Sequence, residues 1–183
     1  MRNEAGLTPR KEDALPLPQL DFESVYRQCF PGVWKTLARL GVPSAQLDDV
    51  AQEVFILVHR KLAELKDPSR LRAWTTSFAV RVASDVRRHH RRRGQSEEVP
   101  ETLVAPTTTD GLTEQRQGLE VLQSVLGRLS DELREVFVLV ELDELSGPEV
   151  AEALGLNLNT VYSRLRLARA AFNELIEQFQ EAP

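Results

Sequence analysis

Thirteen consecutive residues of this 183-residue chain, 81–93, hold six arginines (81, 87, 88, 91, 92 and 93) against one acid, Asp85. His89 and His90 stand among them and can add to the charge. Guanidinium groups in such number suit a polyanion, because neutralising several phosphates supplies affinity without reading sequence. A plainer reading is a solvated helix end whose cations complement the negative dipole there, but one or two arginines would satisfy it. A second island, Arg164, Arg166 and Arg169, lies in residues 158–172, which contain no acid. Around both islands the chain is acidic: residues 94–120 carry a net −5, residues 130–155 a net −7, and the whole chain −5. Other chemistry is poorly supplied. His59, His89, His90 and Cys29 have no metal-ligand spacing, no glycine loop could cradle a phosphate, and no nucleophile stands near a base in sequence. No catalysis, metal or cofactor is expected.

The sharpest local pattern is SGPEVAEALGLNLNTVYSRLRLARAAF, residues 146–172. Ser146 followed three positions later by Glu149 is a capping box, the start of a helix. Ala151, Gly155 and Val161 stand at offsets of zero, four and ten. That is the helix-turn-helix spacing: a small residue at the crossing, a glycine at the turn and an apolar anchor on the second helix. Asn157 can cap that second helix, whose early residues would face a DNA major groove: Asn159, Thr160, Tyr162, Ser163, Arg164 and Arg166, with Arg169 one turn on. An ordinary helical hairpin with a glycine cap has the same spacing, and the arginines argue for DNA.

Helices must position these residues. Leu47, Val50, Ala51, Val54, Phe55, Val58 and Leu62 recur at helical spacing after Ser44, and Leu71, Trp74, Phe78, Val82 and Val86 do so after Asp67-Pro68, a cap followed by proline. Leu119, Leu122, Leu126 and Leu129 form another stripe, and Ser130 opens a helix carrying Leu133, Val136, Phe137 and Val140. No segment alternates apolar with polar, so the fold class is all-α. Pro31-Gly32 interrupts the pattern joining Phe22, Val25, Tyr26, Trp34 and Leu37 and predicts a kink or two separate helices. Residues 1–20, mixing charges with Pro9, Pro16 and Pro18, read as a mobile tail, and the threonine-rich stretch 94–116, with Pro100 and Pro106, as a linker. Two small helical domains, 21–93 and 117–183, follow, each near the lower limit for a self-sufficient core. No apolar run approaches the ~20 residues that span a bilayer, and no signal-peptide segment opens the chain, so no membrane insertion and a cytoplasmic location are expected.

Three segments together carry a family resemblance. DDVAQEVFILVHRKL (48–62) is similar to the Asp-x-x-Gln-Glu-x-Phe helix of bacterial RNA polymerase sigma factors of the extracytoplasmic-function (ECF) group. WTTSFAVRVASDVRRHHRRR (74–93) resembles that group's promoter-melting helix, and LSDELREVFVLVELDELSGPEVAEALGLNLNTVYSRLRLAR (129–169) resembles its last region. The resemblance spans about 21–180. It implies that Asp48, Asp49, Gln52, Glu53 and Phe55 bind core RNA polymerase, and that Arg70, Arg72, Arg81, Ser84, Arg87, Arg88 and Arg91 engage the minus-ten promoter element. The segment 67–72 and the start of the following helix would form the pocket for an unstacked base. Asn159, Thr160, Tyr162, Ser163, Arg164, Arg166 and Arg169 would read the minus-thirty-five element. The resemblance also implies an anti-sigma protein partner.

The chain departs from the family at Arg81, where relatives commonly carry asparagine at a position linked to base capture. Arginine stacks and donates but cannot copy an amide's paired donor and acceptor. It departs again at Leu167, where many have arginine, and at Tyr162, often basic. The competing reading is a two-domain helix-turn-helix regulator that never engages polymerase, with residues 48–62 purely structural.

Overall fold

The computed structural model describes residues 20–93 and 112–181, and within them every regular element is helical. The expected tail lies outside these residues apart from Leu20, as does the expected linker up to residue 111. Helix α1 spans Phe22–Arg39, α2 Leu47–Lys61 and α3 Leu71–Arg92. Helix α4 spans Leu112–Arg128, α5 Asp131–Phe137, α6 Gly147–Leu154 and α7 Leu158–Glu181. None of these helices is long and apolar enough to cross a membrane.

Helix α1 runs unbroken through Pro31, so of the two expected outcomes, a kink or two separate helices, the division does not occur. Pro31 and Arg27, whose carbonyl loses its partner to the proline ring, both lie on the exposed face, where water can replace the missing hydrogen bond. Asp21 caps the helix, accepting from the Ser24 backbone N–H at 2.9 Å and its hydroxyl at 2.6 Å. The start of α3 follows the Asp67-Pro68 signal: the Asp67 carboxylate accepts from the Ser69 N–H at 2.9 Å, one 3-10 turn (Pro68–Arg70) intervenes, and the α-helix begins. Ser44 likewise opens a 3-10 turn, with α2 proper starting at Leu47. The beginning of α4 at Leu112 falls inside the segment expected to be linker. Leu112 stands seven residues before Leu119, continuing its stripe, while the helix-breaking composition ends at Gly111.

Helices α1, α2 and α3 pack pairwise around Val25, Leu37, Val54, Val58, Ala79 and Val82. In the second unit α5 packs along α7, with the Phe137 and Phe172 rings stacked at 4.4 Å. Helix α5 ends in a wider π turn, Val138–Leu142, from which residues 143–146 lead into α6. Ser130 takes the N-cap position of α5 without its side chain bonding there, and its carbonyl accepts from Arg134 N–H at 2.8 Å.

One fully buried cation organises the second unit. Arg134 donates through Nε to the Leu126 carbonyl at 2.7 Å and through Nη2 to Gly127 at 2.8 Å and Leu129 at 3.3 Å. The Gly127 and Leu129 carbonyls are of the kind a helix C-terminus leaves without partners, while the Leu126 carbonyl also accepts from the Leu129 N–H at 3.2 Å. Its Nη1 lies 3.4 Å from the Leu40 carbonyl, at the end of α1. Gly41 follows there at φ +86°, and a β-carbon on it would meet Arg134 Nη1 at 2.5 Å. Each thin core is thus completed by the other, and the buried apolar residues of the two units form one continuous cluster.

Candidate nucleic-acid and protein interfaces

The helix-turn-helix closes as its spacing requires. Ser146 and Glu149 form the capping box, with the Ser146 N–H 2.8 Å and its hydroxyl 2.5 Å from Glu149 Oε2. Those two hydrogen bonds hold the Glu149 carboxyl below its ordinary value. Gly155 turns the chain at φ +64°, a left-handed conformation that favours glycine, and the Leu156 N–H reaches back to the Ala151 carbonyl at 2.8 Å. Asn157 caps α7, its Oδ1 accepting from the Thr160 N–H at 2.8 Å, and Val161 is fully buried beneath the crossing. Because Glu149 is held as the anion, the cap's contribution is present above its unfolded value near 4.5 and is lost as the pH falls through the lower folded value. Ser146→Ala with Glu149→Ala should lower stability by about 1 kcal/mol at neutral pH, and by less in acid, as read by chemical denaturation.

Successive α7 residues turn by about 100°, so Asn159, Tyr162, Ser163 and Arg166 share one exposed face. The Tyr162 ring lies over the start of α6: a β-carbon on Gly147 would stand 2.8 Å from its hydroxyl. Ser163 spends its hydroxyl on the Asn159 carbonyl at 2.6 Å. Thr160 and Arg164 turn aside, Arg164 lying 3.0 Å from Glu132, and Arg169 pairs with Glu141 at 2.6 Å. Arg166 makes no ion pair among the described residues. Leu158 and Leu167 are also exposed on this helix, two apolar side chains the sequence reading did not assign to the surface.

The arginines of the first unit do not stand together. Arg81, Ser84 and Arg88 follow one another along one face of α3, with Arg88 3.6 Å from Asp85. Arg87 and Arg91 face the second unit instead. Arg87, expected at DNA, is only 2% exposed. Its Nη1 donates to the Leu40 carbonyl at 2.7 Å, its Nη2 lies 2.5 Å from Glu135, and its Nε stands 3.1 Å from Asp131. In this arrangement Arg87 joins the two units, because two carboxylates on α5 make that burial tolerable. Arg91 pairs with Asp131 at 2.5 Å. Burial pushes the Asp131 carboxyl upward, but Arg87, Arg91 and Arg134 outweigh it and hold Asp131 below its ordinary value. At Glu135 burial prevails over Arg87 and the value is raised.

Arg70 pairs with Glu152 of α6, and Arg72 donates to the Asp143 carbonyl. At the segment where the resemblance implies a base pocket lies a cavity of about 340 Å³ lined by Lys66, Asp67, Arg70, Trp74 and Ser77, with Glu152 and Ala153 of α6 forming a further wall. Trp74 also packs edge-on against Phe78 at 4.8 Å, in keeping with its place in the apolar stripe.

On the far side, α1 and α2 enclose a groove of about 600 Å³. Asp49, Gln52 and Glu53 are exposed on α2, and Asp48 accepts a hydrogen bond from Trp34 Nε1 at 3.0 Å. Phe55, expected to meet a partner directly, is 3% exposed. It lies beneath Phe22, Tyr26 and Phe30, with Tyr26 edge-on at 4.8 Å, and forms the groove floor. The apolar groups at the surface of this groove are Tyr26 (41% exposed), read from the sequence only as part of the α1 pattern, and Ile56 (45% exposed), not singled out from the sequence. Phe22, Tyr26 and Phe30 recur every four residues, which was the available signal for this rim.

Comparison with known proteins identifies the family. Residues 25–93 match the family model for Sigma-70 region 2 and residues 119–172 that for Sigma-70, region 4. The chain is similar to the RNA polymerase sigma factor CnrH of Cupriavidus metallidurans, with 31% identity over 160 residues, 77% of this chain and 78% of the relative. The ferric citrate uptake sigma factor FecI of Escherichia coli is 30% identical over 150 residues, 78% of this chain and 83% of the relative. The probable RNA polymerase sigma factor RfaY of Xanthomonas campestris is 30% identical over 141 residues, but the match spans only 35% of its length. Among solved structures, CnrH in complex with the cytosolic domain of CnrY superposes with a TM-score of 0.65 at 26% identity, covering 86% of this chain and 88% of that one. The sigma factor RpoE of Bartonella quintana, solved with the anti-sigma factor NepR, shares the fold with a TM-score of 0.70 at 21% identity, over 86% of this chain and 97% of that one.

Proposed function

Because this chain belongs to the ECF group of RNA polymerase sigma factors, we propose that it binds core RNA polymerase and directs initiation at promoters it contacts in two places. The single observation that supports this most is the α1–α2 groove. An aromatic floor with an exposed apolar rim and a row of Asp48, Asp49 and Gln52, with exposed Glu53 beside it, is more than a structural helix needs, and it stays open to a partner.

In this reading Asp48, Asp49, Gln52 and Glu53 surround the polymerase contact and Phe55 supports it from below. Arg70, Arg72, Arg81, Ser84, Arg87, Arg88 and Arg91 serve the minus-ten element, and Asn159, Thr160, Tyr162, Ser163, Arg164, Arg166 and Arg169 the minus-thirty-five element. The chain itself performs no catalysis; phosphoryl transfer belongs to polymerase. Its work beside DNA and polymerase is cytoplasmic. Relatives solved with CnrY and with the anti-sigma factor NepR support a protein inhibitor for this chain as well.

With purified core polymerase, the full chain should initiate from a promoter found by mapping transcripts after overexpression. Asp49→Ala combined with Gln52→Ala should cut that initiation at least tenfold with no change in melting temperature. A chain that binds duplex promoter DNA alone yet never associates with core would instead be a regulator independent of polymerase.

A further inference from the structure

Six large apolar side chains are exposed among the described residues, and five of them gather at two places. Tyr26 and Ile56 stand at the α1–α2 groove, while Leu158, Tyr162 and Leu167 stand on α7. Leu158 and Tyr162 are one turn apart, on the side of α7 where the Tyr162 ring lies over Gly147 at the start of α6. Leu167 is elsewhere. It is 49% exposed and lies about 140° around the axis from Tyr162, one turn on from Ser163. The residues a turn beyond it, Ala170 and Ala171, are small, so a broad surface can come close to it. The polar groups nearby are committed within the chain: the Ser163 hydroxyl donates to the Asn159 carbonyl at 2.6 Å, and Arg164 pairs with Glu132 at 3.0 Å. What Leu167 offers a partner is apolar contact and no hydrogen bond.

In a DNA major groove such a side chain has one good counterpart. Every base edge there presents hydrogen-bonding groups, and thymine alone adds a C5-methyl group. Leucine pressed on a guanine or cytosine edge would strip water from acceptors or donors and leave them unpaired. On a thymine it buries methyl against methyl. We propose that Leu167 is a specificity residue of the upstream promoter contact, packing on the C5-methyl of one thymine so that the chain prefers a T·A pair where this side chain lands. The proposal rests on the reading that α7 enters the major groove of the minus-thirty-five element. Arg166, the preceding residue, is exposed and is the cation beside this contact. A phosphate on Arg166 would fix the register without reading sequence, and Leu167 would discriminate among base pairs.

The test uses the full chain with core RNA polymerase on its mapped promoter. Each thymine of the upstream element, on either strand, is replaced in turn by deoxyuridine, which pairs as thymine does but lacks the methyl group. At one of these thymines the replacement should weaken binding about fourfold, the worth of one buried methyl. Leu167→Ala should bind the unmodified promoter about fourfold less tightly than the parent and be indifferent to uracil at that same position, because the contact is already gone. Half of Leu167 is in solvent, so shortening it leaves the fold intact, and a thermal melt beside the binding assay checks this. A parent indifferent to uracil at every thymine, or a Leu167→Ala protein that keeps the parent's sensitivity, would overturn the proposal. In either case a loss of promoter binding in Arg166→Ala would show that α7 still lies on DNA. If Arg166→Ala and Leu167→Ala both bound the promoter as the parent does, α7 would not be on DNA, and the promoter reading of this helix would fail together with the proposal.

Discussion

Arg134→Met is expected to lower stability by about 3–5 kcal/mol and to leave the second unit without a cooperative transition at physiological temperature. Methionine can fill much of the volume but offers no donors. The Gly127 and Leu129 carbonyls at the end of α4 would lose the guanidinium that satisfies them, and the Leu126 carbonyl would keep only its bond from the Leu129 N–H at 3.2 Å. A buried acceptor left without a partner costs roughly 1–3 kcal/mol. This unit has little surplus, because small domains bury a modest share of their surface and their net stability is only ~5–15 kcal/mol. Arg134→Lys separates charge from geometry. A lysine ammonium keeps the cation but not the planar fork that spans several carbonyls, so about half of the loss should remain. Urea denaturation followed by helical circular dichroism measures both, and equal midpoints for the parent and Arg134→Met would show that α4 is capped by other means.

The same residue marks where sequence reading stops. Arg134 and Arg87 are charges in helices, and the ordinary expectation for an arginine is an exposed head group. Their burial follows from what stands opposite: free carbonyls at helix ends for Arg134, and the α5 carboxylates together with the Leu40 carbonyl for Arg87. Arg87 meets partners more than forty residues away along the chain, and Arg134, though five to eight residues from the α4 carbonyls, reaches them across the turn between α4 and α5, which the spacing within neither helix encodes. Local signals fared better because their partners are local. The capping box, the left-handed Gly155 and the Asp67-Pro68 start each satisfy backbone groups within a few residues, and each forms where its spacing places it. Pro31 shows the opposite case. Its rule is local, but the cost depends on whether the orphaned carbonyl meets water, which is a property of the packed helix. Phe55 was legible as apolar and not as buried or exposed, since the Phe22, Tyr26 and Phe30 rings above it arrive from another helix.

That last correction moves the expected energetic centre of the polymerase contact from Phe55 to its neighbours. Ile56→Glu should weaken binding to core RNA polymerase about 100-fold, roughly the 2 kcal/mol or more lost at a truncated hot spot, while leaving the melting temperature within about 1 °C of the parent. Ile56 is 45% exposed, so its side chain contributes little to the fold, and a carboxylate there is solvated while the chain is free. On binding it would be desolvated against an apolar partner, with only the exposed Arg60 one turn on to answer it, and most of that penalty appears only in the complex. Phe55→Ala should behave in the reverse manner. It removes a ring that meets Phe22, Tyr26 and Phe30, so stability should fall by about 3 kcal/mol and polymerase binding should fail only as the groove floor collapses. Titrating labelled chain with core polymerase, beside a thermal melt of each protein, separates the two effects. If Ile56→Glu bound core as the parent does, the exposed rim of the α1–α2 groove would not be the polymerase contact, and Asp49 and Gln52 would have to act from outside it.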